Sequence, residues 1–97
     1  MDIATFQQQM QALYGERDRH RGPERTFVWF TEECGELARA VFRERDAERM
    51  AHEFSDVLAW LASLANLAGV DLADAARRYA AGCPRCGAVP CGCALAR

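Results

Sequence analysis

Apolar residues recur along this chain at helical rather than alternating spacing. Behind Asp2, a good N-cap, come Ile3, Phe6, Met10, Leu13 and Tyr14, a pattern that predicts an amphipathic first helix of about three turns ending near Gly15. The segment Gly15 to Gly22 (GERDRHRG) reads as a charged loop. Pro23 suits the first turn of a second helix running to about Phe42. Asp46 then caps a third helix that continues to about Ala68, where Gly69 supplies the stop, and Asp71 caps a short fourth from Leu72 to about Ala81. Nothing reads as a strand and no segment repeats, so the expected fold is all-α, with about four helices.

After Gly82 the composition turns abruptly to Cys, Pro and Gly, which divides the chain into a helical domain, residues 1–82, and a Cys-rich tail, residues 83–97. A chain of 97 residues buries only about 60–65% of its unfolded surface, so a bundle-type core completed by oligomerisation, or help from a metal, is expected. The net charge is −2 and all 12 basic residues are Arg, a balance that argues against a general nucleic-acid or membrane-surface binder. The N-terminus has neither a basic n-region nor an apolar h-region, and the longest apolar stretch, Val57 to Ala68, is about half the length of a membrane span. A soluble cytoplasmic protein is the expectation, and its five cysteines are then read in a reducing compartment, where metal binding outranks disulfides.

The charged chemistry concentrates on two helices. Glu32, Glu33 and Glu36 fall within an arc of about 100° on the second helix, while Phe27, Phe30, Cys34, Leu37 and Val41 form another face, with Cys34 expected as a buried small apolar residue. A solvated acidic surface is the plainer alternative. It leaves unexplained why no Lys or Arg stands between Thr26 and Ala38, why Glu32 and Glu36 sit at repelling i,i+4 positions, and why Trp29 shares the acid face. On the third helix, Glu53 lies inside the apolar stripe Met50, Phe54, Val57, Trp60, Leu61, Leu64 and Leu67, and Asp56 lies at its edge. A charge there costs several kcal/mol unless it is paired or metal-bound. Arg pairing is the ordinary answer; a divalent cation is the more specific one. Carboxylates without His or Cys select Mg²⁺ or Mn²⁺ over Zn²⁺, and Mg²⁺ held this way usually shares a phosphate-bearing substrate.

The pattern EExxE (Glu32, Glu33, Glu36), a gap of 16 residues, then ExxD (Glu53, Asp56) resembles the signature of the MazG-like all-α nucleotide pyrophosphohydrolases. The surrounding FTEECGELARAV and EFSDVLAWLASLANLAGVDL extend the resemblance over about residues 20–80. It implies hydrolysis of a nucleoside triphosphate, NTP or dNTP, to the monophosphate and pyrophosphate, and a bundle completed by a second subunit in a homodimer or homotetramer. Position by position, it implies Glu33, Glu36, Glu53 and Asp56 as the catalytic Mg²⁺ ligands and Glu32 as the residue that orients or deprotonates the attacking water. Arg21 and Arg25 are candidates to hold phosphates, though they equally offset nearby acids, and Trp29 is a candidate to stack on a base or sugar, though packing is an equal alternative. A non-catalytic nucleotide- or zinc-binding module on the same fold is the competing reading, and the intact acid set disfavours it.

The remaining residues are read more plainly. Trp60 is expected in the core, His20 and His52 on the surface without partners, and Asn66 in a local hydrogen bond or cap. Cys83, Cys86, Cys91 and Cys93 form C-x2-C-x4-C-x-C, whose CPxCG half has the shape of a zinc knuckle, so a structural Zn²⁺ is expected. Disulfides or redox chemistry and a disordered tail are the alternatives.

Overall fold

The computed structural model describes residues 1–94, and among these the protein is all-helical, without strands. Helix α1 spans Ile3–Arg21, with the Asp2 carboxylate accepting from the Thr5 N–H at 2.8 Å. It therefore runs through the segment expected as a loop. Gly15 costs a helix about 1 kcal/mol but does not stop it; the next turn is fastened by the Asp18–Arg21 ion pair, and Arg19, His20 and Arg21 complement the helix dipole. The real break is Gly22, whose φ of 88° turns the chain immediately before Pro23.

Helix α2 spans Pro23–Arg39 and continues without interruption into a π-helical turn, Ala40–Glu44, closed by an Arg45 N–H to Ala40 carbonyl bond of 2.8 Å. Arg45 (φ 56°) and Asp46 then reverse the chain into α3, Ala47–Ala68, with Asp46 accepting from the Arg49 N–H. So short a connection makes α2 and α3 an antiparallel hairpin. At the far end Gly69 (φ 72°) lets the Val70 N–H return to the Ala65 carbonyl, a left-handed cap. Asp71 caps α4, which is a regular helix only over Leu72–Ala76 and tightens into a 3₁₀ turn at Arg77–Tyr79 rather than reaching Ala81.

Helix α1 lies mainly across α3 and is pinned there by one polar clasp. The Gln7 amide donates to Asn66 Oδ1 (3.0 Å) and the Val70 carbonyl (2.8 Å), its oxygen accepts from the Leu72 N–H (2.9 Å), and Asn66 donates back to the Gln7 carbonyl (3.2 Å). Asn66 is thus a long-range tie, not the local cap expected.

The buried core is thin: Met10, Ala40, Ala62 and Ala65, with the polar Asp18, Thr26, Glu53 and Ser63. Phe27, Val28, Phe54, Leu58 and Leu61 stay exposed, and so does Cys34, against expectation. The face of α2 that carries Phe27 and Cys34 is only partly covered within one chain, because α1 packs chiefly on α3. Among the described residues no single helix is long and apolar enough to cross a membrane.

Candidate active site

The α2–α3 hairpin fixes a register that brings the two acidic segments together. Trp29 on α2 stacks on Trp60 of α3, ring centroids 6.2 Å apart and planes 18° from parallel. One turn along α2 from Trp29 is Glu33; one turn back along α3 from Trp60 is Asp56. Three residues further in each direction come Glu36 and Glu53. An antiparallel pair anchored at the tryptophans therefore sets Glu33 against Asp56 and Glu36 against Glu53.

The electrostatics agree with this register. The Glu33 carboxyl titrates above the ordinary carboxylate range, first because it is partly desolvated, then because Asp56, Glu53, Glu36 and Glu32 surround it with negative charge. Glu53 is buried at 4% exposure, as its place in the apolar stripe requires, and among the described residues its one cation is Arg49, 3.2 Å away on the preceding turn and shared with Glu44 at 3.6 Å. Asp56 receives His52 Nε2 at 3.3 Å. Among the described residues no ion pair reaches Glu32, Glu33 or Glu36; Glu32 is exposed, Glu33 and Glu36 half-buried. Candidate ligand atoms of His52, Glu53 and Asp56 lie within 4.8 Å of one another, with Glu33 and Glu36 outside this tight group. His52 is exposed as expected but is not without a partner, and its i,i+4 spacing from Asp56 was the sequence signal for it.

Beside Asp56 opens a cavity of about 290 Å³, lined by Tyr14, Arg17, Asp18, Arg21, Ala59, Trp60 and Ser63. Arg21 forms its corner. Its guanidinium donates to Asp18 at 2.5 Å and to Thr26 Oγ1 at 3.2 Å and lies over the Trp60 ring, 4.8 Å from the centroid. Trp60 is thereby a half-buried wall rather than a core residue. Asp18 is 2% exposed, and its second carboxylate oxygen has no hydrogen-bond partner among the described residues. Arg25 is exposed on the first turn of α2 and has no ion pair among the described residues, and Trp29 is exposed on its outer side. Of the first-helix residues that line this cavity, Arg21 is a sequence-predicted phosphate candidate, whereas nothing in the charged segment around Arg17 and Asp18 singles those two out.

The family model for the MazG nucleotide pyrophosphohydrolase domain matches residues 21–84, about two thirds of the chain. The chain belongs to the MazG family. No curated protein matches it. The MazG match takes in α2, α3 and α4, and so every acid of the cluster; most of α1 and three of the four tail cysteines lie outside it. Membership carries nucleotide pyrophosphohydrolase activity in general terms.

Proposed function

We propose that the protein hydrolyses nucleoside triphosphates, ribo or deoxy, between the α and β phosphates, releasing the monophosphate and pyrophosphate, with Mg²⁺ or Mn²⁺ held by Glu33, Glu36, Glu53 and Asp56. The observation that carries this reading is the hairpin register, anchored by the Trp29–Trp60 stack, that sets two acidic segments against each other; the rise of Glu33, caused first by its partial desolvation and then by the four neighbouring carboxylates, accords with it. The donor set fits such an ion. It consists of hard oxygen ligands with His52 beside two of them, it outnumbers the single arginine that reaches it among the described residues, and one of its members is buried. Divalent ions bound there would neutralise charge on the triphosphate and acidify a water.

The chain's own groups supply the rest. Glu32, exposed beside the cluster, orients or deprotonates the attacking water. Arg25, without an ion pair among the described residues, meets the phosphates; Arg21, already engaged by Asp18, Thr26 and Trp60, holds the cavity wall and meets phosphate only at its edge. Trp29 offers a face to the base or sugar. The role is removal of unwanted nucleotides in the cytoplasm.

The working unit is a homodimer or a dimer of dimers. A folded monomer of 10.8 kDa ordinarily exposes about 5,500 Å² and has a radius of gyration of about 12.5 Å. This chain exposes 7435 Å² and measures 15.7 Å. The excess is of the size that an extensive subunit interface covers, and the exposed Phe27, Val28, Phe54, Leu58 and Leu61 of α2 and α3 are the surface proposed for it.

The decisive experiment measures pyrophosphate released from a panel of NTPs and dNTPs, with and without Mg²⁺. Release that needs the metal and drops at least about 100-fold in Glu53→Gln supports the assignment, since even outer residues of metal sites typically cost 10–100-fold. Binding of a triphosphate without turnover would make the protein a nucleotide-binding module instead.

A further inference from the structure

The tail is the one motif that neither the helical domain nor the family match absorbs. Four cysteines converge there. The Sγ atoms of Cys83, Cys86, Cys91 and Cys93 all lie within 4.8 Å of one another, with Cys83 to Cys93 at 3.8 Å and Cys83 to Cys91 at 3.6 Å. A disulfide needs about 2.05 Å, so these are not bonded pairs. A tetrahedron with metal–sulfur bonds of about 2.3 Å has edges of about 3.8 Å, close to the two separations measured from Cys83.

The backbone is shaped for the same purpose. The Cys83 N–H donates to the Ala88 carbonyl (3.1 Å) and the Gly87 N–H to the Cys83 carbonyl (2.7 Å), closing a tight loop around Cys83-Pro84-Arg85-Cys86. Gly87 has φ 75°, and a side chain on Gly82 would stand 2.7 Å from the Gly87 carbonyl oxygen, so both positions need glycine. Backbone N–H groups then point at sulfur: Gly92 to Cys86 at 3.2 Å and Cys93 to Cys91 at 3.4 Å. Such donors stabilise thiolates.

We propose that Cys83, Cys86, Cys91 and Cys93 form a closed tetrathiolate site for one structural Zn²⁺, separate from the carboxylate cluster and independent of its catalytic reading. Four sulfurs complete the coordination sphere and leave no position for water or substrate, which makes the site structural rather than catalytic. Thiolate sulfur selects Zn²⁺ over the Mg²⁺ that suits the carboxylates, so one chain sorts two metals by ligand chemistry.

The test is metal analysis of the full-length protein, purified under reducing conditions without added zinc, alongside Cys91→Ser and Cys34→Ser variants. The expected result is about one Zn per chain in the parent and in Cys34→Ser, and a fall of tenfold or more in Cys91→Ser. Replacing zinc by Co²⁺ should give the visible absorption of a tetrahedral cobalt thiolate, a readout that does not require the variant to fold. Folded, reduced protein without zinc and without the cobalt spectrum would overturn the proposal, as would a mass showing the four tail cysteines joined in two disulfides. Pyrophosphate release is not part of this test, so either result leaves the catalytic reading where it stands.

Discussion

If the carboxylate cluster is built for divalent cations, it should destabilise the apo protein at neutral pH, and Mg²⁺ should remove that penalty. Glu33 is the reporter. Its folded-state pKa is raised, so its contribution to stability is fully present below the ordinary carboxyl value, about pH 4, and is lost as pH rises through the raised value. Apo protein should therefore lose stability as pH climbs through the range just above the ordinary glutamate value, while Mg²⁺, which needs the charged form, should stabilise increasingly over the same interval. At tenfold excess over its dissociation constant, one bound ion contributes RT ln(1 + [L]/Kd), about 1.4 kcal/mol. For a domain of this size that corresponds to a rise in Tm of roughly 6–11 °C. Glu53→Gln keeps the side-chain volume, removes one ligand and one of the charges acting on Glu33, and weakens a half-exposed ion pair with Arg49 that is itself worth less than about 1 kcal/mol. The variant should lose most of the Mg²⁺-dependent shift, flatten the pH dependence of the apo protein, and bring Glu33 down toward its ordinary value. Thermal unfolding followed by circular dichroism at fixed protein concentration, with NaCl controls at matched ionic strength, measures all but the last, which needs carboxyl-carbon NMR. An equal Mg²⁺ shift in parent and variant, or a shift reproduced by NaCl, would refute the reasoning.

Gln7→Ala removes three side-chain hydrogen bonds at one junction, partly open to solvent, and should lower stability by about 1–3 kcal/mol in urea unfolding, with α1 losing amide-exchange protection first; unchanged stability would show that the clasp is dispensable. Phe54→Glu places a charge on the open apolar face, where Phe54 is 57% exposed, and should shift sedimentation from dimer or larger toward monomer with little loss of helix. A parent protein that already sediments as a monomer at micromolar concentration would remove the assembly proposal altogether.

The acids could be read from the sequence because their signal is local: on α2, charges with no Lys or Arg between Thr26 and Ala38, and on α3, a glutamate inside an apolar stripe. The helix caps at Asp2, Asp46 and Asp71 were equally legible, each being a side chain that reaches the N–H three residues on. What could not be read depends on partners distant in sequence. Gln7 and Asn66 are 59 residues apart, and nothing near either one announces the clasp. Gly15 and Gly22 look alike as helix stops; Gly22 wins because Pro23 follows it and it adopts a positive φ, while the Asp18–Arg21 pair carries the helix past Gly15.

The largest discrepancy, the exposure of Cys34 and Phe27, follows from the same geometry that makes the site. A two-helix hairpin has two long faces to cover, and α1 covers chiefly the one offered by α3. The rest of α2 must stay wet in a single chain or be met by another. Trp29 lies between these alternatives, stacked on Trp60 on its inner side and 45% exposed overall. A second copy laid on α2 would shield the apolar stripe and close the outer flank of the acid cluster in one step. In such an arrangement the surface that completes the core would also help to form the nucleotide pocket, so subunit dissociation should cost activity and not only stability.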